Sequence, residues 1–209
     1  MFRDLSGTLT DLGYLLMARR PWLHSFYRRW AHRRYARLAP GYAARISEIP
    51  GYLAPLLTTL PHLPRAPRLV VEIGVGTGAA TAVLIRAFPQ AHLVAIDASP
   101  AMLAAFQPRS GRVHRVAADA GRLPLQDGIA DLVIAHNAPF DIEEMRRAAG
   151  SNGMIAVVLS SAGHLPVLLR RKIIQTLTTA AWHTVEEYQG GRGVGLVFRR
   201  TPIPTGEAR

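Results

Sequence analysis

The chain has 209 residues, 49% of them hydrophobic and 19% charged, which is long enough to bury one sizeable core and too apolar for a disordered protein. It contains no cysteine, and that excludes disulfides, zinc fingers, iron–sulfur clusters and cysteine nucleophiles together. The formal net charge is +11, and Lys172 is the single lysine among 25 basic residues.

Residues 1–66 read as helices interrupted by Pro21, Pro40, Pro50, Pro61 and Pro64. The charge is concentrated here: residues 1–65 hold ten arginines against Asp4, Asp11 and Glu48. An anionic partner would therefore meet the front of the chain. In the helix expected over Pro21–Leu38, Trp22, Leu23, Phe26, Tyr27 and Trp30 share one arc, with His24, Ser25, Arg28, Arg29 and His32 opposite. Two readings of that helix stand open. It is a lid burying its aromatics on the rest of the protein, or an interfacial helix laid on an anionic membrane surface. Asp4 and Asp11 interrupt any signal-peptide pattern, and apolar runs such as Met154–Leu159 fall far short of the ~18 residues a membrane span needs. The expected location is the cytoplasm, with peripheral contact at the inner membrane face under the second reading.

From Pro67 the texture changes. Leu69–Ile73, His92–Asp97, Arg112–Ala118, Ala130–Ala135 and Gly153–Leu159 read as strands, alternating with helical patterns near 78–88, 99–107, 141–149 and 165–181. Alternation of this kind predicts parallel strands with helices on both faces. Thr184–Tyr188 and Val194–Arg199 flank a glycine-rich turn, Gln189–Gly193, and predict an antiparallel hairpin. The expected fold is α/β: a helical cap over 1–66, then over 67–209 a Rossmann-like, seven-stranded, mostly parallel sheet with an antiparallel C-terminal hairpin.

The first strand runs into Glu72-Ile73-Gly74-Val75-Gly76-Thr77-Gly78 and a helix from Ala79. Glycines at a strand-to-helix turn let the backbone pass close beneath a ligand. Gly74-x-Gly76-x-x-Ala79 also satisfies the dinucleotide fingerprint. Glu72 separates the two readings, because a carboxylate there would repel a pyrophosphate and welcome a cationic ligand without phosphate. Asp97 closes the second strand, 19 residues after Gly78, where an acid can accept both ribose hydroxyls. Ser99-Pro100 supplies an N-cap and a first helical residue. Asp119 follows the third strand, and Gly121–Leu125 and Ala130–Val133 come next, with Asp131 read as structural.

On these residues the chain resembles the class I S-adenosylmethionine (SAM)-dependent methyltransferases over about residues 67–200, in particular the small-molecule and quinone or lipid methyltransferases, with a weaker echo at Arg37–Tyr42. The resemblance implies SAM as cofactor and S-adenosylhomocysteine as product. It implies cofactor contacts from Glu72, Gly74, Gly76, Gly78, Asp97, Ala98, Met102, Asp119, Ala120 and His136, with Asp119 accepting from the adenine amino group. Tyr42, brought over the methionine end of the cofactor, and His136, a candidate base, are the expected catalytic residues.

After the fourth strand, Asn137-x-Pro139-Phe140 is similar to the motif of methyltransferases that act on planar amines. Ala138 in place of a proline and a position one residue late relative to Asp131 count against that likeness. The expected activity is methyl transfer to a small or lipid-like acceptor. The alternatives are a nucleic-acid methyltransferase, less favoured because basic and aromatic residues interleave in one helix alone, and a protein of this fold with other chemistry. The eight histidines show no metal-ligand spacing, so no metal is expected. The acceptor atom and the oligomeric state have no signal in the sequence.

Overall fold

The computed structural model describes residues 33–160, 175 and 182–200. A helical stretch at 33–38 leads into helix α1 (Tyr42–Ser47), α2 (Ala54–Thr59) and a 3-10 turn (Leu60–His62). Then come β1 (Leu69–Ile73), α3 (Ala79–Ala87), β2 (His92–Asp97), α4 (Pro100–Ala105), β3 (Val113–Ala117), β4 (Ala130–His136), α5 (Ile142–Ala148), β5 (Ala149–Leu159), β6 (Trp182–Gly190) and β7 (Gly193–Arg200). The aromatic positions 22–30 and the helical pattern near 165–181 fall outside the described residues, Gln175 excepted.

The seven strands form one sheet in the order β3-β2-β1-β4-β5-β7-β6. β1, β2, β3, β4 and β5 pair in parallel, and β7 runs antiparallel to both of its neighbours. This is the expected architecture. Chain order reverses between β1 and β4, which are hydrogen-bonded neighbours, so the loops that follow them diverge and leave a crevice at their carboxyl ends.

Alternation along the strands builds two cores. Val71, Ile73, Val133, Ala135, Ile155 and Val157 face one side, with Met145 of α5. Val70, Leu132, Ile134, Ala156 and Val158 face the other, with Leu84 of α3 and Leu56 of α2. Glu72 and His136 have the parity of this second side. The segment ahead of β1 is thus fastened directly to the sheet, and Leu56 and Leu63 are buried there. α2 lies close against the hairpin: a Cβ at Gly195 would come within 1.8 Å of Thr59 Oγ1, whose hydroxyl donates to the Pro55 carbonyl at 2.6 Å.

Two boundaries differ from expectation. β5 begins at Ala149, directly after α5, instead of Gly153, because the Gly-Ser-Asn-Gly run is taken into the strand across a register shift against β4 between Ala130 and Leu132. Backbone atoms of Gly128, Ala130 and Gly150 crowd Gly150 and Gly153, where no Cβ fits. The hairpin strands extend to Trp182 and Gly190, and Gly190 pairs with Gly193 around the two-residue turn Gly191-Arg192.

Candidate active site

The turn after β1 is held from below by β2: Gly74 and Val75 donate to the Ile96 carbonyl at 2.7 and 3.1 Å. Gly74, Gly76 and Gly78 all have positive φ, at 74°, 54° and 88°. Their surroundings divide them. A Cβ on Gly74 would lie 1.9 Å from that of Ala138, and one on Gly78 would lie 2.2 Å from the Phe106 ring. Those two glycines admit neighbouring protein. Over Gly76 the nearest atom is Tyr42 Cε1, at 3.7 Å, so this is the glycine that leaves the turn accessible.

Asp97 ties this turn to the end of β2. Its Oδ2 accepts from Gly76 N and its Oδ1 from Ser99 N, both at 2.8 Å. Ser99 caps α4, accepting from Met102 N at 3.4 Å, and the Met102 side chain is fully buried. Ala98 is exposed at the same corner. Asp119 lies two residues beyond the end of β3, in a turn where its Oδ1 accepts from Gly121 N at 2.9 Å. Ala120 packs beside it on the α5-side core. Thr77 Oγ1 is buried without a hydrogen-bond partner among the described residues, an unsatisfied polar atom inside the glycine turn.

Glu72 lies beneath that turn, 1% exposed, with Oε2 accepting from Thr81 Oγ1 of α3 at 2.6 Å. Burial pushes its carboxyl up to about 8; the Thr81 hydroxyl pulls it back and Asp97 adds to the rise. Near neutrality burial therefore favours the protonated form of Glu72 over the carboxylate.

The second half of the crevice is built on the end of β4. His136 is 5% exposed, and burial pushes its imidazole down to about 4. Asn137 adopts φ 50°, a left-handed conformation that asparagine tolerates better than most residues. Its amide clamps β5: Ser160 N donates to Asn137 Oδ1 at 2.8 Å, and Asn137 Nδ2 donates to Ser160 Oγ at 2.6 Å. The Tyr52 hydroxyl lies within electrostatic reach of this amide and of the Tyr42 hydroxyl. The Tyr52 carbonyl accepts the Ser160 hydroxyl, and its ring stands edge-on to His136 with centroids 5.2 Å apart. Burial raises both tyrosine hydroxyls, that of Tyr42 far above its ordinary range, so both remain neutral. The Asn137 amide is engaged at both ends, and Ala138, at the departure from the planar-amine motif, fills the space over Gly74.

Tyr42 and His136, both singled out from the sequence, are thus linked through Tyr52. Tyr52, Thr77, Thr81 and Ser160 were not singled out. A signal for Tyr52 does exist: Pro-Gly-Tyr occurs at 40–42 and again at 50–52, each time with a left-handed glycine (φ 78° and 71°) placing a tyrosine on the crevice. Asp131 lies at the far end of the sheet, where its Oδ2 accepts from Arg68 N and Leu69 N at 2.7 and 2.9 Å. Among the described residues no cluster of three or more histidines and acids could hold a metal, and no helix is long and apolar enough to cross a membrane.

A family model described as a methyltransferase domain matches residues 70–168. The chain is similar to a malonyl-[acyl-carrier protein] O-methyltransferase of Marinomonas sp., 33% identical over 150 residues that cover 67% of this chain and 55% of that protein. It is similar also to the 23S rRNA (guanine(748)-N(1))-methyltransferase of Streptomyces fradiae, 34% identical over 131 residues, covering 57% and 45%. The chain spans about half the length of the curated relatives it matches. In fold it is similar to the Burkholderia thailandensis 1,6-didemethyltoxoflavin-N1-methyltransferase solved with S-adenosylhomocysteine, with a TM-score of 0.61 and 13% identity over 85% of this chain and 90% of that one.

Proposed function

We propose, from the premise that residues 70–168 form a methyltransferase domain of the class I SAM-dependent type, that the chain transfers a methyl group from SAM to a small or lipid-like acceptor. Bound SAM supplies an electrophilic methyl carbon on a sulfonium, a leaving group that needs no activation. What remains for the protein is to hold the reactants in line and keep water out.

The residues present fit that cofactor. Gly76 leaves open backbone at the turn, Thr77 Oγ1 is buried without a hydrogen-bond partner among the described residues, and Asp97 puts a carboxylate at the end of β2, the ribose position. Asp97 would hold the ribose hydroxyls, Asp119 the adenine amino group, and Glu72 the cationic amino-acid end. Tyr42, over Gly76, would cover the methionine portion, and His136 with Tyr52 would line the acceptor side. The carrying observation is the Asp97 carboxylate, fixed by two backbone donors at the strand-order reversal. The test is titration calorimetry with SAM and S-adenosylhomocysteine, with binding of both expected. No binding by the intact protein overturns the proposal.

A second acceptor, a base in RNA, has its own support in the +11 charge and in the likeness to the Streptomyces fradiae rRNA enzyme. Incubation with methyl-labelled SAM and separate pools of total RNA, acyl-carrier-protein thioesters and lipid extract distinguishes the two. Label is expected outside the RNA pool, and label confined to RNA replaces the first acceptor by the second.

A further inference from the structure

Glu72 sets a carboxyl group into an apolar layer of the sheet. Its partners in register are Ala95 of β2 and Ile134 of β4, and Val70, Leu84, Leu132 and Val158 are buried on the same side. A buried carboxyl among such neighbours is costly, and an aliphatic side chain would fill the position without that cost. The hydrogen bond that reaches it comes from the fully buried Thr81, in the first turn of α3, whose Oγ1 donates to Glu72 Oε2 at 2.6 Å. Helical threonines ordinarily return their hydroxyl to a carbonyl three or four residues back. Thr58 and Thr59 of α2 do so, donating to the Pro55 carbonyl at 3.0 and 2.6 Å. Thr81 instead donates nine positions back, to β1, and the glycine turn Gly74–Gly78 lies between the two partners. The bond thus closes the base of the loop that carries Gly76. A hydroxyl donates more strongly to a carboxylate than to a neutral carboxyl, so the bond strengthens when Glu72 ionises. The first turn of α3 favours negative charge as well. The other ionisable groups within electrostatic reach of Glu72 among the described residues are Asp97, at the end of β2, which opposes its ionisation, and Tyr52, ahead of β1, which stays neutral.

We propose that Thr81 is a positioning residue of the cofactor site: its hydroxyl orients the Glu72 carboxyl and stabilises the ionised form, so that Glu72 can take a negative charge when the cationic end of SAM binds. What Glu72 meets is supplied by the methyltransferase reading; its coupling to Thr81 stands on the hydrogen bond between them. Without that hydroxyl, ionisation of Glu72 would leave a buried carboxylate with no side-chain donor among the described residues. Serine at position 81 keeps the donor, and valine keeps the shape and loses it.

The experiment compares full-length wild type, T81S, T81V, E72Q and the E72Q/T81V double variant by two measurements. The first is calorimetry at pH 7 with S-adenosylhomocysteine, whose amino-acid end carries the same charges as that of SAM. T81V should bind about tenfold or more weakly, and T81S within about twofold of wild type. In the E72Q background T81V should add less than about twofold, because no charge is left there to stabilise. The second is urea unfolding of the ligand-free proteins from pH 5 to 9.5. Loss of the donor pushes the Glu72 carboxyl further up, so the fall in stability should continue to higher pH in T81V than in wild type, with T81S following wild type. Wild-type affinity in T81V, a loss in T81S as large as in T81V, an equal loss with and without E72Q, or coincident alkaline limbs in T81V and wild type overturns the proposal. T81A repeats the truncation if T81V does not fold. Absence of S-adenosylhomocysteine binding by the wild type would overturn the cofactor reading instead, and the unfolding limbs would still decide the coupling.

Discussion

The two halves of the crevice keep a buried ionisable group uncharged by opposite routes. On the β1–β2 side Glu72 holds its proton because burial disfavours the carboxylate, with the Thr81 hydroxyl as its hydrogen-bonding partner. On the β4–β5 side His136 refuses a second proton because burial disfavours the imidazolium. A cation bound beside the first group would favour its ionisation. The second is locked into a neutral frame of Ser160, Asn137 and Tyr52. One side is thus prepared to respond to charge and the other to present a fixed pattern of donors and acceptors. That contrast matches a cationic cofactor on the first side and an uncharged acceptor group on the second.

The junction between the halves is where Ala138 packs over Gly74, and breaking it gives the largest effect. Gly74→Ala places a Cβ 1.9 Å from the Ala138 Cβ at φ 74°. Overpacking and left-handed strain together should cost about 2–5 kcal/mol in urea unfolding. Adding Ala138→Gly removes the clash and leaves the backbone strain, so the double variant should recover a measurable part. Equal loss in the single and double variants would disconnect the two halves.

Opposite protonation gives opposite pH limbs. Glu72 binds a proton in the folded protein between its ordinary value of 4.5 and about 8, while the unfolded chain has lost it. Its contribution is present below 4.5 and disappears as pH rises to about 8, with a slope of at most about 1.4 kcal/mol per pH unit. For His136 the unfolded chain takes up the proton between 6.5 and about 4, so its contribution is present above 6.5 and is lost on acidification. Urea unfolding from pH 4 to 9 should show Glu72→Gln flattening the alkaline limb and His136→Gln the acid limb. A Glu72→Gln variant with the wild-type alkaline slope would mean that Glu72 is already ionised in the free protein.

Binding energetics should separate the halves as well. Asp97→Ala should weaken SAM binding by about 1.5–3 kcal/mol through lost charge-assisted hydrogen bonds. Tyr52→Phe, on the other side, should change SAM affinity by less than about 0.5 kcal/mol and lower turnover on the true acceptor. Equal losses of affinity in calorimetry would make the crevice one cooperative unit.

The halves also differ in how far they could be read before the structure. The β1–β2 side is assembled from strand ends and the turns directly after them: Gly76 and Asp97 are 21 positions apart, and each carries a local backbone reason for its identity. Sheet order and hairpin follow from alternation and glycine placement in the same way. The β4–β5 side joins Tyr52 to Ser160 across 108 positions, and nothing local marks either as a partner of His136. Thr81 was likewise hidden, because a threonine in the first turn of a helix announces no buried acid beneath it. The repeated Pro-Gly-Tyr was the one available trace, and it becomes meaningful only when α1 and α2 fold back over the sheet.

The smallest effect is expected at the sheet's other end, which serves as the control. Asp131 accepts two backbone hydrogens from Arg68 and Leu69 and so fixes where β1 begins against β4. Replacing it with alanine removes a charge-assisted acceptor at a partly exposed position, where water substitutes for the lost partner, and should cost about 1 kcal/mol of stability. The crevice lies at the opposite ends of the same two strands, and the Val70–Ile73 register with Leu132–Ala135 lies between them. SAM affinity should therefore be unchanged in Asp131→Ala. A weakened cofactor affinity in that variant would mean that strand register is transmitted along β1 to the glycine turn, and that the cofactor half is less rigid than its hydrogen bonds to Ile96 and Asp97 imply.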